Sequence, residues 1–187
     1  MTGVKMIKNF LSYILKTIDK LRLNNNNFVI ISNNCWGAEI YNSVNRKYNT
    51  PFVGLFVYGP CYIKLLENFE FYMSQELKFR ENSIYQIIKP NYPVGYLIDI
   101  EIHFLHYDSE IDAKEKWYRR IKRMNQVLDK NNYYFKMCDR DRTDKEIIDR
   151  FHNLPFKNKI SFGIKGNNSL YHILIGNSGD VDHLIPG

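Results

Sequence analysis

Ile98-Asp99-Ile100-Glu101-Ile102-His103-Phe104-Leu105-His106-Tyr107 decides how the rest of the chain is assembled. Apolar and polar residues alternate with the period of a β-strand. Ile98, Ile100, Ile102 and Phe104 fall on one face, and Asp99, Glu101 and His103 on the other, roughly 6–7 Å apart along the row. Two carboxylates and an imidazole in a row are candidates for acid–base work. His106 extends the set at the carboxyl end of the strand, beside Tyr107 and Asp108. The plainer alternative is the wet face of a half-exposed strand.

Outward from this stretch, helix and strand signals alternate. Residues 109–128 predict a helix with Ser109 as N-cap, acidic Glu110 and Asp112 in the first turn, and Trp117, Ile121, Met124 and Leu128 on the inner face. Upstream, the apolar run 28–31 predicts a buried strand, 38–48 a helix, 52–57 a strand and 61–79 a helix. Downstream come a strand at 133–137 and a helix over 143–154, where Thr143 and Glu146 have capping-box spacing. Strands at 160–164 and 171–175 complete the chain. This order predicts an α/β protein, Rossmann-like, with a mainly parallel sheet, helices on both faces and the 98–105 strand at its centre. Hairpin-like segments at 84–100 and 160–175 predict antiparallel edges and keep an α+β arrangement open. No repeat or linker divides the chain, so residues 1–187 read as a single domain.

A net charge of +6 and a pI near 9.1 favour anionic partners such as nucleotide phosphates or lipid headgroups. The basic residues are dispersed, without a Lys/Arg tail, zinc-finger spacing or an RNA-binding pattern of aromatics among glycines, which argues against nucleic acid. Three widely spaced cysteines and no CxxC pair fit a reduced, cytoplasmic setting. Residues 4–23 predict an amphipathic helix. Val4, Ile7, Phe10, Leu11, Ile14, Leu15, Ile18 and Leu21 recur at helical spacing, while Lys5, Lys8, Lys16, Asp19 and Lys20 make it too charged to span a bilayer. Such a helix packs on its own domain or makes a peripheral contact with the inner membrane.

Ligands of open α/β sheets bind beyond the carboxyl ends of the strands. There the sequence places Asn33, Asn34, Cys35 and Trp36 after the first strand, Asp139 and Asp141 after the 133–137 strand, and Lys165 after the next. No GxGxxG or GxxxxGK pattern accompanies them. The asparagines are candidates to position substrate or to cap the following helix. Cys35 stands near a helix N-terminus, where the dipole lowers a thiol pKa, and with His106 and Asp139 would make a nucleophile set; the alternative is an inert buried thiol. Asp139 and Asp141 have the spacing to hold Mg²⁺ or Mn²⁺ on a nucleotide-sugar diphosphate, or to serve as caps. Arg119 and Arg120, on the basic 109–128 helix, are candidates for phosphate contacts or a solvated face.

Several segments together resemble a known family: 31–37, 72–77, 92–95, 99–107, 116–120, Asp139-Arg140-Asp141 and 153–159. They are similar to the bacterial domain-of-unknown-function family numbered nineteen-nineteen, whose members often carry the label exopolysaccharide biosynthesis protein. The likeness runs from about residue 27 to 165. It implies a setting in surface-polysaccharide synthesis and brings no established activity or catalytic residues. The family pattern follows the Asp-Arg-Asp with Gly and Cys, where this chain has Arg142 and Thr143. The resulting expectation is a transferase of glycosyl or acyl type that acts on a saccharide precursor such as a nucleotide sugar. A hydrolase or esterase on such a precursor, or a non-catalytic carbohydrate-binding or assembly protein, are the alternatives.

Overall fold

The structure, a computed structural model, describes residues 27–175. The amphipathic segment 4–23 lies outside the described residues. In chain order the elements are β1 (Val29–Ser32), α1 (Trp36–Ser43), α2 (Gly59–Glu67), α3 (Phe69–Met73), β2 (Lys78–Arg80), β3 (Val94–Leu97), β4 (Ile100–His103), α4 (Glu110–Met124), β5 (Tyr133–Cys138), α5 (Lys145–Asn153), β6 (Asn158–Gly163) and β7 (His172–Leu174). One 3-10 turn, Lys130–Asn132, precedes β5.

Two sheets form, and the protein has a mixed α/β fold. The first is wholly parallel in the order β1-β5-β6-β7; the second is antiparallel in the order β2-β3-β4. The 98–105 segment is therefore not the centre of the parallel sheet. Its core, β4, is one arm of a hairpin with β3, in which Leu97 pairs with Ile100 and Ile98-Asp99 make the turn. Ile98 takes φ 58, a left-handed conformation that β-branched residues avoid, so nothing in its identity announced a turn. Gly95 of β3 is required by close packing, since a Cβ there would stand 2.6 Å from the Phe104 ring.

Other boundaries move for local reasons. The 52–57 segment is largely buried but irregular, bent at Val53 and Gly54, and joins the antiparallel sheet only through a bridge from Phe56 to His103. The 61–79 helix breaks at Asn68 (φ −133, ψ 49) into α2 and α3. Asp144, not Thr143, caps α5, its carboxylate accepting the Ile147 N–H at 2.9 Å. Ser109 caps α4 as expected, accepting from Asp112 N–H. The last strand, β7, runs parallel to β6 after a short connection rather than folding back as a hairpin.

The main core fills the space between the sheets. Val29, Ile31, Phe135 and Met137 on one face of the parallel sheet meet α2, α5 and the apolar face of β4. Tyr62 of α2 places its hydroxyl 2.9 Å from the carbonyl of Ile31 and 3.1 Å from that of Lys136, tying the helix to β1 and β5. Trp117 of α4 is buried edge-on against Phe52 and Phe104, at 5.8 and 5.9 Å between ring centroids. The other face of the sheet carries a smaller cluster, Phe28, Ile30, Tyr41 and Val44, beneath α1. Among the described residues no helix is long and apolar enough to cross a membrane.

Candidate functional site

A cavity of about 310 Å³ opens at the carboxyl end of β1. The β1–α1 turn and α1 supply Cys35, Trp36 and Glu39, the irregular segments supply Tyr48, Val53, Gly54, His106 and Tyr107, and α4 supplies Lys116 and Arg120. Gly54 (φ 71) makes the close approach possible. Its carbonyl accepts the His106 N–H at 3.0 Å, and a Cβ there would stand 3.1 Å from the Tyr107 ring. Arg120 is only 8% exposed. It donates through Nη1 to the Tyr107 hydroxyl and, at 3.3 Å, to the Val53 carbonyl, with its guanidinium 5.1 Å from the Tyr48 ring. Lys116 pairs with Asp112 at 2.7 Å and lies 5.2 Å from the Tyr107 ring. Two cations framed by aromatic rings thus border the cavity, with Glu39 as the opposing charge. Arg119 points elsewhere, pairing with Glu115 on the exposed side of α4.

Cys35 occupies the N-cap position of α1 without a side-chain cap bond; its thiol donates to the Leu55 carbonyl at 3.5 Å. The expected helix-dipole effect is outweighed. Burial pushes the Cys35 thiol up, and the Asp141 carboxylate pushes in the same direction. The resting group is the neutral thiol. Asp141 belongs to a strained loop. Asp141 (φ 57) and Arg142 (φ 60) are consecutive left-handed residues, a conformation that costs about 1–3 kcal/mol each away from glycine. The Asp141 carbonyl accepts the Gly59 N–H at 2.8 Å, which anchors the loop to the start of α2. No hydrogen bond from the described residues engages its carboxyl group, which burial raises above the usual carboxylate range against the pull of Arg140 and Lys136.

Asp139 does not join it. Its Oδ2 accepts the N–H groups of Ile164 and Lys165, at 2.7 and 3.3 Å, and so pins the chain as it leaves β6. Among the described residues no three His, Cys, Asp or Glu side chains group as metal ligands. The Lys165 side chain is exposed.

Asn33 and Asn34 build a buried network with a residue the sequence reading missed. Lys136 of β5, 3% exposed, donates to Asn34 Oδ1 at 2.8 Å and Asn33 Oδ1 at 3.5 Å. Both asparagine amides in turn donate to Cys138 Sγ, at 3.4 and 3.3 Å. Asn34 Oδ1 also accepts the Trp36 N–H at 3.3 Å, the capping role foreseen for it. Burial lowers the Lys136 pKa. Its ammonium lies 5.8 Å from the Trp36 ring and 6.0 Å from that of Phe162. A lysine inside Tyr-Tyr-Phe-Lys-Met-Cys was the available signal, since a fully buried strand has no wet face for it.

The Asp99–Glu101–His103 row is divided by the hairpin. Asp99 sits on the turn, half-exposed, paired with Lys64 and accepting the Tyr72 hydroxyl at 3.0 Å. Glu101 and His103 are wholly buried and bound to each other at 2.8 Å. Glu101 also takes Arg80 at 2.7 Å, the Ile84 N–H at 3.0 Å and the Ser83 hydroxyl. His103 stacks on Phe56 with 4.5 Å between centroids, its Nδ1 3.3 Å from the Tyr92 hydroxyl. Burial lowers its pKa. A second unforeseen chain joins α5, β6 and β7. The Ser161 hydroxyl lies 2.7 Å from His152 Nε2 and 2.8 Å from His172 Nδ1, and His172 Nε2 donates to the Lys165 carbonyl at 2.8 Å.

These features define a mixed α/β protein with a cation- and aromatic-lined cavity where ligands of parallel sheets are expected. The chain belongs to the family described as Domain of unknown function (DUF1919), whose profile matches residues 6–176. It is 40% identical over 150 residues to an uncharacterized protein of Haemophilus influenzae, an overlap of 80% of this chain and 68% of that relative.

Proposed function

We propose that this protein is a cytoplasmic transferase, of glycosyl or acyl type, acting on an activated saccharide precursor of a bacterial surface polysaccharide. The observation that carries the reading is the meeting of Arg120, Lys116, Cys35 and His106 in one cavity. Arg120 and Lys116 take the anionic part of the donor, a phosphate or diphosphate. Tyr48 and Trp36 offer faces for the sugar ring. With Asp139 engaged by backbone N–H groups, Glu39, which lines the cavity, and Asp141, whose pKa burial raises, are the carboxylates open to acid–base work. His106, exposed at the rim, serves the leaving group. The polysaccharide setting comes from the label carried by family members; the cavity supplies only the chemistry.

A ligand that binds the native state raises the unfolding midpoint by mass action. Nucleotide sugars, sugar phosphates and acyl thioesters, each with and without Mn²⁺, are expected to include at least one donor that shifts the midpoint of the wild type. The same donor should lose most of its effect on Lys116→Ala and His106→Ala. A shift that survives both substitutions places the ligand elsewhere. No shift from any activated donor rejects the reading.

A further inference from the structure

The second face of the parallel sheet is only partly covered by the described residues. Helix α1 lies chiefly over β1 and reaches β6 through the Trp36 ring, 5.5 Å from Phe162. Register puts Tyr134 of β5, Ile160 and Phe162 of β6 and Ile173 of β7 on this face, and Tyr134 and Ile173 are each 45% exposed. Two cavities of about 300 and 220 Å³ run along it, mostly apolar, with Trp36 and Lys136 in both. Parallel sheets are stable when both faces are covered, and this one has a channel of apolar side chains where a second helix belongs.

We propose that residues 4–23 of the same chain form an amphipathic helix that docks in this channel, across Tyr134, Ile160, Phe162 and Ile173. Three observations select this occupant. First, the apolar stripe Val4, Ile7, Leu11, Ile14, Ile18 and Leu21 follows helical spacing, Lys5, Lys16 and Lys20 fall on the opposite side, and Lys8 flanks the stripe. Second, the described chain begins at Asn27, and Phe28, the next residue, already lines the larger cavity. Four asparagines, 24–27, span up to about 14 Å, enough for the chain to turn back over the sheet it is about to enter. A 20-residue helix is roughly 30 Å long, sufficient to cross a four-stranded sheet about 15 Å wide and leave one end free. Third, the family profile begins at residue 6, so the segment lies within the matched domain rather than outside it as an appended anchor would.

The full chain tests this by a double-mutant cycle read as unfolding midpoint. Ile14→Asp and Tyr134→Asp are each expected to lower the midpoint by about 5 °C or more, and the double variant to fall little further than the worse single one. Should Ile14→Asp fail to fold, Leu11→Ala with Tyr134→Ala makes the same cycle. The wild type is expected to be monomeric and to stay behind when phosphatidylglycerol vesicles are floated. Midpoints that do not move, or that fall additively, overturn the proposal. Flotation that Ile14→Asp abolishes without moving the midpoint overturns it in favour of a lipid surface, and coupling that appears only in a dimer overturns it in favour of a second copy.

Discussion

Two regions of this molecule hold ionisable side chains away from bulk water, and they differ in what is left over. Around Glu101 every charged group has an oppositely charged or hydrogen-bonded partner, although Arg80 Nε is buried without one. The carboxylate receives His103, Arg80, a hydroxyl and a backbone N–H, and His103 is stacked on Phe56. Around Cys35 the opposite holds. Among the described residues the thiol makes one long bond, the Asp141 carboxyl makes none, and Arg120 donates only through Nη1. The first region holds the 80–92 segment onto the antiparallel sheet. The second is where the proposed ligand would find hydrogen-bonding partners. A run of acids and histidines is thus a poor guide to chemistry by itself; what marks a site is unsatisfied polarity beside a cavity.

The contrast breaks most easily at Glu101. Glu101→Ala should cost about 3–5 kcal/mol in urea unfolding, because it leaves the Arg80 cation without its counter-charge and His103 without its hydrogen-bond partner. A stability close to wild type would show that the network is dispensable. Acid probes the same region more gently. Burial lowers the pKa values of His103 and His152 below the ordinary histidine value of 6.5. The unfolded chain therefore binds protons at pH values where the folded one does not, so stability is full above pH 6.5 and falls as pH drops below it. Urea midpoints between pH 8 and 5 should show that decline, and His103→Phe should flatten it; a midpoint that rises toward pH 5 contradicts the lowered values.

On the other side of the comparison, Cys35→Ser should change stability by less than about 1 kcal/mol, since the thiol is half-buried and weakly bonded. Peptide mass spectrometry should find wild-type Cys35 alkylated slowly by iodoacetamide at pH 7, with the rate still climbing beyond pH 9, because burial and Asp141 raise its pKa. Rapid alkylation at pH 7 would reveal a thiolate and change the catalytic reading. The smallest effect is expected at Arg142. Arg142→Gly removes the left-handed strain and also the bond from Nη2 to the Tyr85 carbonyl at 2.9 Å. A net gain of about 0.5 kcal/mol should remain, and a loss would show that the arginine's contacts outweigh its backbone.

The parallel sheet was legible because continuous apolar runs such as Phe28-Val29-Ile30-Ile31 have few other uses. Caps were legible to within a residue, since Asp144 and Thr143 are chemically equivalent starts for α5. The hairpin was legible in part: 84–100 reads as hairpin-like, yet the 98–105 arm reads equally well as a central strand. A hairpin arm and a central strand share the same period of two, and the turn between them is Ile-Asp, with neither glycine nor asparagine to mark it. Of the site, the β1–α1 turn and His106 were readable from the strand-end rule, and Arg120 from the basic character of the 109–128 helix. Tyr48, Val53 and Gly54 were not, because they lie in irregular chain that only tertiary packing carries to the cavity. Lys136 was hidden by the habit of reading a lysine in a strand as solvent-facing.

Ser161 carries one hydrogen for two imidazoles. With His172 Nε2–H held by the Lys165 carbonyl, the hydroxyl donates to His172 Nδ1 and receives from His152. When both rings are charged, two N–H groups face one oxygen whose own hydrogen has no acceptor. The link so weakened fastens β7, three residues long and, among the described residues, the edge of the sheet. Peeling it away uncovers the longer β6, whose bare backbone is a template for another molecule. Light scattering that precedes any loss of helical signal is therefore the expected first mark of acid on this protein.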